Sequence, residues 1–156
     1  MGASTTEQHA GPVEEASGLR VALVRIHRQL RARTGADITL SQSSALARIE
    51  QAGPVRLGTL AELEGTTPAT MSRVIDSLAD RRLIERVADP LDGRARLVRL
   101  RPEGGALLAG IRTRNTEALR EALAGLTGDE RRTLSAAIPV LERLSDLLQG
   151  IDRPGL

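Results

Sequence analysis

The sequence predicts a mainly α fold of the α+β class, with about six helices and a sheet of two or three short strands. Over most of the 156 residues, apolar side chains recur three and four positions apart, which is the spacing of one helix face. Between residues 83 and 101 the pattern changes to two alternating runs around Asp92-Gly93, which is typical of a β-hairpin. A chain of this length forms about one domain.

Residues that cap or break helices separate the segments. A flexible tail is expected over residues 1–16, which are mostly small, polar or acidic. The predicted helices cover about residues 17–34, 40–51, 58–64, 68–78, 102–124 and 128–148, with an extended piece at 55–57. Their starts and ends are indicated by Gly35, Thr39 or Ser41, Gly53-Pro54, Gly65, Thr67-Pro68 and a capping box at Thr127–Glu130. Pro139 lies inside the sixth helix and should kink it.

The composition excludes several kinds of chemistry. The chain has no cysteine, so disulfides, thiol nucleophiles and cysteine-based redox switches are ruled out. His9 and His27 are the only histidines, which is a poor supply of metal ligands, and we expect no cofactor. No apolar run reaches the roughly 18 residues of a membrane span, and residues 1–10 do not resemble a signal peptide. We therefore expect a soluble, cytoplasmic protein.

Residues 58–78 fit a helix-turn-helix. Ala61, Gly65 and Met71 supply the small residue, the turn glycine and the apolar residue that the close crossing of two such helices needs. The N-terminal turn of the second helix would then enter a DNA major groove. Thr70 and Ser72 can meet bases or phosphates, and Arg73 can bind guanine or a phosphate. The alternative is an ordinary pair of helices with a solvated polar face.

The hairpin that follows is rich in arginine. Residues 81–101 hold seven arginines and three acids, although the net charge of the whole chain is only +2. Arg94 and Arg96 follow the tip at once, and a thin basic arm suits the narrow, electronegative minor groove. The alternative is a charged edge that prevents strand aggregation, which explains Arg99 and Arg101 equally well.

These motifs, in this order, resemble the MarR family of winged helix-turn-helix regulators over the span Leu19–Leu148. Thr67–Arg73 is similar to the recognition region of that family, and Leu83–Arg86 to its G-L-[VI]-x-R strand. Ile38–Gln42 resembles the family's L-T-x-x-Q motif. Asp92-Gly93-Arg94 with Leu100 matches its D-x-R-x-x-x-L-x-L wing signature. The chain departs from the family at Arg82, where glycine is usual, and at Arg101, where threonine is usual.

The resemblance implies a homodimer that binds an inverted repeat in double-stranded DNA. Residues 38–101 would form the winged helix-turn-helix domain, and residues 17–37 and 102–149 the helical dimerisation region. Long aliphatic stripes on the terminal helices agree with a bundle between two chains, while packing within a monomer is the alternative. The residues expected to contact DNA are Thr67, Pro68, Ala69, Thr70, Ser72, Arg73, Arg94 and Arg96.

Asp92 and Arg86 are expected to support the wing, Asp92 by pairing with an arginine such as Arg73. Relatives of this kind often bind small aromatic or anionic effectors, and here His27, Arg28 and Arg31 could hold an anion, or could simply be solvated. The function expected from the sequence is that of a repressor. A winged helix that contacts only proteins is the main alternative, and an enzyme is not expected, because neither histidine has an evident catalytic partner.

Overall fold

The computed structural model describes residues 11–35 and 37–151. It separates into two compact units, one with helix α1 (Pro12–Thr34) and one that begins at Asp37. The second unit contains, in order, α2 (Leu40–Ala52), β1 (Val55–Arg56), α3 (Leu57–Leu63), α4 (Pro68–Asp80), β2 (Ile84–Ala88), β3 (Arg96–Leu100), α5 (Pro102–Ala124) and α6 (Gly128–Ile151). The mainly α class, the six helices and the small antiparallel sheet are as predicted.

Helix α1 begins earlier than the sequence analysis predicted. It starts at Pro12 rather than Ser17, so the predicted tail is wrong for residues 12–16, while residues 1–10 lie outside the described residues. Pro12 fits the first helical position because its missing N–H needs no partner there. Glu14 and Glu15 add negative charge to the first turn, where the helix dipole favours it. The helix ends as expected at Gly35, which has a positive φ of 55°.

The start of α2 is fixed by a reciprocal capping box. The Thr39 hydroxyl accepts a hydrogen bond from the backbone N–H of Gln42 at 3.2 Å, and the Gln42 side chain accepts one from the backbone N–H of Thr39 at 2.7 Å. Thr39, not Ser41, is therefore the cap. The Gln42 side chain also donates to the Ser77 hydroxyl at 2.9 Å, which joins the start of α2 to α4.

The three strands form one antiparallel sheet in the order β1-β3-β2. Ile84 lies opposite Leu100, and Val98 lies between Val55 and Arg86. Aliphatic side chains and Met71 alone fill the core, because the chain has no aromatic residue. The largest fully buried side chains come from α2, α3 and α4: Leu46, Ile49, Leu60, Ile75 and Leu78. This core fixes α4 against α2 and α3 and leaves its opposite face in solvent.

The chain leaves α4 through a left-handed residue that is not glycine. Arg82 has a φ of 58°; its N–H donates to the Ala79 carbonyl at 2.8 Å and that of Leu83 to the Leu78 carbonyl at 3.0 Å. These two bonds form a Schellman motif with Arg82 at the position that glycine usually takes. Arginine in place of the usual glycine at position 82 therefore leaves the end of the helix intact, but it places an L side chain in a conformation that costs energy.

Helix α5 packs its first turn closely against the backbone of the hairpin. A Cβ at Gly104 would lie 2.2 Å from the Leu83 carbonyl oxygen, whereas a Cβ at Gly105 would lie 3.8 Å from the nearest atom, Cδ2 of Leu100. The Arg101 side chain does not cap this helix, so the threonine cap usual in the family is missing. The backbone N–H of Arg101 donates to the Leu83 carbonyl at 3.1 Å, and Pro102 is the first residue of the helix.

Helix α6 exposes much of its apolar stripe. The capping box predicted at its start is present, with the Thr127 hydroxyl and the Glu130 carboxylate each accepting the other's backbone N–H, at 3.3 and 2.8 Å. No side chain of α6 among residues 128–148 is buried. The helix continues on both sides of Pro139, where the kink stays a prediction.

We expect Gly104→Ala to lower the free energy of unfolding by about 1–3 kcal/mol, the usual cost of overpacking, because the added methyl would press on backbone rather than on a mobile side chain. Gly105→Ala is the matched control, one residue along the same helix. It should leave stability unchanged or raise it by up to about 1 kcal/mol through helix propensity. Urea denaturation measures both, and equal effects would contradict the close contact.

Replacing Arg82 tests the strain at the end of α4. Arg82→Gly should be about 1 kcal/mol more stable than Arg82→Ala in urea denaturation. Both variants lose the same charge, but only glycine adopts a φ of 58° without strain. Equal stabilities would mean that Arg82 is not strained.

Candidate nucleic-acid interface

The outer face of α4 begins with an exposed, polar N-terminal turn. Thr67, Pro68, Ala69 and Thr70 are exposed, while Met71 begins the buried face. The Thr67 hydroxyl accepts from the Thr70 N–H at 3.2 Å and donates to the Thr70 hydroxyl at 3.0 Å. Because the Thr70 oxygen accepts this bond, its own proton remains available for an external acceptor.

The packing under this turn is that of a helix-turn-helix. Ala61 and Met71 are buried, as the helix crossing requires. Gly65 has a φ of 58°, and hydrogen bonds from Gly65 and Thr66 to carbonyls of α3 close that helix. Gly65 thus closes α3, as the sequence predicted, and turns the chain into the cap of α4.

Two predicted site residues follow along α4. Arg73 is exposed, and its side chain has no hydrogen bond or ion pair within the described part of the chain. Ser72 is half-buried, and its hydroxyl lies 3.5 Å from the Asp76 carboxylate, at the outer limit of a hydrogen bond. The cation in the middle of the recognition helix is therefore free to bind an external anion.

The arginines of the hairpin divide into two groups. Arg94 and Arg96, beside the tip, are exposed, and neither guanidinium is paired within the described residues. Arg99 instead binds Glu85 with two hydrogen bonds of 3.0 and 2.6 Å, and Arg101 lies 3.3 Å from the Glu103 carboxylate. The charged-edge interpretation thus fits Arg99 and Arg101, and the unpaired positive charge is concentrated at the tip.

The acid that fastens the hairpin loop is Asp89, which the sequence analysis did not single out. It is 7% exposed and accepts hydrogen bonds from Nε and Nη2 of Arg56 at 3.0 and 2.6 Å. The backbone N–H of Leu91 donates to its other oxygen at 2.9 Å. The Leu91 N–H and the Arg56 guanidinium lower the pKa of Asp89 below the ordinary range of an aspartate.

The expected pairing of Asp92 with Arg73 is wrong. The cation near Asp92 is Arg56, with a separation of 3.7 Å between Nη2 and Oδ2. Asp92 also accepts a hydrogen bond from the backbone N–H of Arg94 at 3.1 Å, which shapes the tip. Arg56 on β1 is close to both acids of the loop, whereas Arg73 projects from the exposed face of α4.

Arg86 joins the hairpin to α4. Its Nη2 lies 2.5 Å from Oδ1 of Asp76. Sequence reasoning predicted a supporting role for Arg86 but did not identify its partner. Arg56, Asp76 and Asp89 were all missed as part of the site. The one local signal was Asp89-Pro90, a dipeptide that favours a turn.

The residues expected to hold an effector lie on α1. His27, Arg28 and Arg31 are exposed there. Arg31 already takes part in an interaction within the structure. The effector site therefore stays a prediction.

Two kinds of feature are absent from the described residues. Among them, no cluster of three or more histidine, aspartate or glutamate side chains could hold a metal ion. No helix in the same part of the chain is long and apolar enough to cross a membrane.

Comparison with known proteins gives consistent matches. Residues 38–95 match the model of the MarR family. An uncharacterised HTH-type transcriptional regulator of Mycobacterium bovis is 39% identical over 132 residues, which is 84% of this chain and 92% of the relative.

Solved structures of other proteins share this fold. A putative transcriptional regulator from Pseudomonas aeruginosa superposes with a TM-score of 0.78 at 32% identity, covering 88% of this chain and 97% of its own. A mutant of MepR from Staphylococcus aureus bound to an oligodeoxyribonucleotide has a TM-score of 0.65 at 20% identity, covering 85% and 97%. At that identity the similarity to MepR shows the fold alone.

Replacing the buried acid tests the brace on the loop. Because folding lowers the pKa of Asp89, its contribution to stability is complete above the pKa of an unfolded aspartate and is lost as the pH falls through the folded value. We expect Asp89→Asn to be less stable than wild type at neutral pH and the gap to narrow as the pH falls to about 3. Urea denaturation at a series of pH values measures this.

Arg56→Met is the companion variant for this brace. It should raise the pKa of Asp89, measured by carboxyl NMR, only part of the way to its ordinary value, because the Leu91 N–H still donates. A stability gap for Asp89→Asn that does not change with pH would contradict the brace.

Proposed function

Because the chain belongs to the MarR family of transcriptional regulators, we propose that it is a homodimeric repressor that binds an inverted-repeat operator. Each chain places the N-terminal turn of α4 in the major groove and the hairpin tip in the neighbouring minor groove. The DNA-contacting residues in this proposal are Thr67, Pro68, Ala69, Thr70, Ser72, Arg73, Arg94 and Arg96.

One observation carries the proposal: exposed arginines without an acidic partner in the described residues lie on α4 and at the hairpin tip, where DNA would lie. Arg73 on α4 and Arg94 and Arg96 at the hairpin tip have no acidic partner within the described residues, whereas Arg99 does. An arginine without a protein partner can neutralise a phosphate or bind a base edge at no cost in broken ion pairs. Within α4 and the hairpin, this pattern supports a polyanion such as DNA as the ligand.

Exposed apolar side chains support the homodimer. On α6, Leu134 and Ile138 lie on one face and are 42% and 51% exposed. On α1, Leu23 and Ile26 are 49% and 52% exposed. Contiguous apolar faces of this kind are normally covered by a partner. We assign residues 17–37 and 102–149 to dimerisation, with α1 extended to Pro12, and residues 38–101 to DNA binding.

Repression would be relieved by a small aromatic or anionic effector. Arg28 and Arg31 supply positive charge on α1 for such a ligand, and His27 supplies a polar ring beside them. The two recognition helices read their half-sites together only when their spacing matches about 34 Å, one turn of DNA. An effector releases DNA when it binds more tightly to a dimer with a different spacing.

Selection of bound sequences from random duplex DNA tests the proposal. A palindromic motif is the expected result, since each half-site is read by one chain of a symmetric dimer. The affinity should also fall steeply with salt, with a log–log slope of about −0.9 for each neutralised phosphate. No enriched motif and a flat salt response would instead favour the alternative of a winged helix that contacts proteins.

Arg94→Ala should weaken operator binding by about 1–3 kcal/mol, the range for a good base contact. Arg99→Ala is the matched control on the same strand pair, because Arg99 is held by Glu85 and lies away from the tip. It should change affinity much less than Arg94→Ala does, because its guanidinium is already held by Glu85. Fluorescence anisotropy with the selected operator measures both, and equal losses would remove the special role of the tip.

A further inference from the structure

The exposed face of α4 carries an acid, Asp76, beside the cation Arg73. Ala69, Arg73, Asp76 and Asp80 follow one another at steps of three and four and are all exposed. Asp76 is 54% exposed. A carboxylate on a face that approaches DNA repels the phosphates, unless another group neutralises it.

Arg86 neutralises Asp76 from outside the helix. The guanidinium reaches across from β2 and places Nη2 2.5 Å from Oδ1 of Asp76, while the Ser72 hydroxyl lies 3.5 Å from Oδ2. The carboxylate is thereby held on the hairpin side of α4. Arg73, three residues earlier on the same helix, is left without a partner within the described residues.

Removing Arg86 would change the partner of Asp76. Side chains three residues apart on a helix lie close enough to form an ion pair. In the wild type, Asp76 pairs with Arg86 rather than with Arg73. Without Arg86, the carboxylate would be free to attract Arg73 and to repel the DNA backbone.

We propose that Arg86 is a positioning residue for DNA recognition: by holding Asp76 it keeps Arg73 unpaired and available to DNA. This inference rests on the proposed function, because it assigns a role in the binding of DNA. Arg86 acts through Asp76 and Arg73 and does not itself contact the ligand.

The test is a double-mutant cycle on operator affinity. Arg86→Met keeps most of the side-chain length and removes the charge. It should weaken binding about tenfold, because the freed Asp76 carboxylate would both pair with Arg73 and repel the DNA phosphates; this is within the range of coupling between contacting residues. Asp76→Asn should restore most of that loss in the Arg86→Met background, yet change wild-type affinity by less than about threefold, because Arg86 already neutralises Asp76 there.

Replacing Arg73 tests whether Arg86 acts through Arg73. Arg73→Ala should cost much less affinity in the Arg86→Met background than in wild type, because Arg73 is already diverted there. If Asp76→Asn raises affinity equally in both backgrounds, or if Arg86→Met binds as tightly as wild type, the proposal is overturned. A loss that Asp76→Asn does not restore at all would show that Arg86 contacts DNA itself or only supports the fold, which also overturns it. Urea denaturation of each variant shows which have folded.

A measurement on the free protein separates this inference from the proposed function. In Arg86→Met, the Nε–H of Arg73 should exchange with water more slowly than in wild type, and Asp76→Asn should restore fast exchange; NMR detects both. If the wild type binds no duplex, the proposed function fails, while the exchange rates still decide whether Arg86 controls Arg73. Unchanged exchange in Arg86→Met would contradict that control.

Discussion

The position of the hairpin depends on the buried carboxylate of Asp89. A buried charge is costly unless it is paired and hydrogen-bonded, and Asp89 has both kinds of partner: Arg56 from β1 and the N–H of Leu91 in its own loop. Its backbone takes part as well, since its N–H donates to the Ala95 carbonyl at 3.2 Å. One side chain thus joins the first strand to the loop that carries Arg94. If that carboxylate were lost, the loop would no longer be joined to β1 through this side chain.

Among the described residues, some arginines of α4 and the hairpin are paired with acids, and others are not. A net charge of +2 hides this, because the acids of the chain are placed next to some arginines and not others. Glu85 holds Arg99, and Asp76 holds Arg86. Arg73 and Arg94 are unpaired within the described residues. Such pairs at the surface add little stability. In the proposed function, these pairs decide which guanidinium groups remain available to DNA.

Much of the fold could be predicted because its boundaries are set by local chemistry. Thr39, Gly65 and Thr67 act through hydrogen bonds and backbone angles within a few residues, so the sequence predicts their roles. The partners of the charged residues could not be predicted in this way. Asp89 and Arg56 are 33 positions apart and meet only because β1 pairs with β3, so the choice of Arg73 as the partner of Asp92 was wrong. The predicted start of α1 at Ser17 is wrong because Pro12, followed by Glu14 and Glu15, already forms the first turn of the helix.

Site-directed cleavage of DNA tests the central claim most directly, namely that α4 and the hairpin tip occupy neighbouring grooves in two symmetric copies. The chain has no cysteine, so Ala69→Cys and Gly93→Cys each give one attachment point for an iron chelate, and a Cβ at Gly93 meets no atom within 4 Å. On the selected operator, the probe at residue 69 should cleave within each half-site, and the probe at residue 93 at two minor-groove positions related by the symmetry of the operator. Cleavage at only one end of the operator, or the same pattern from both probes, would contradict this arrangement.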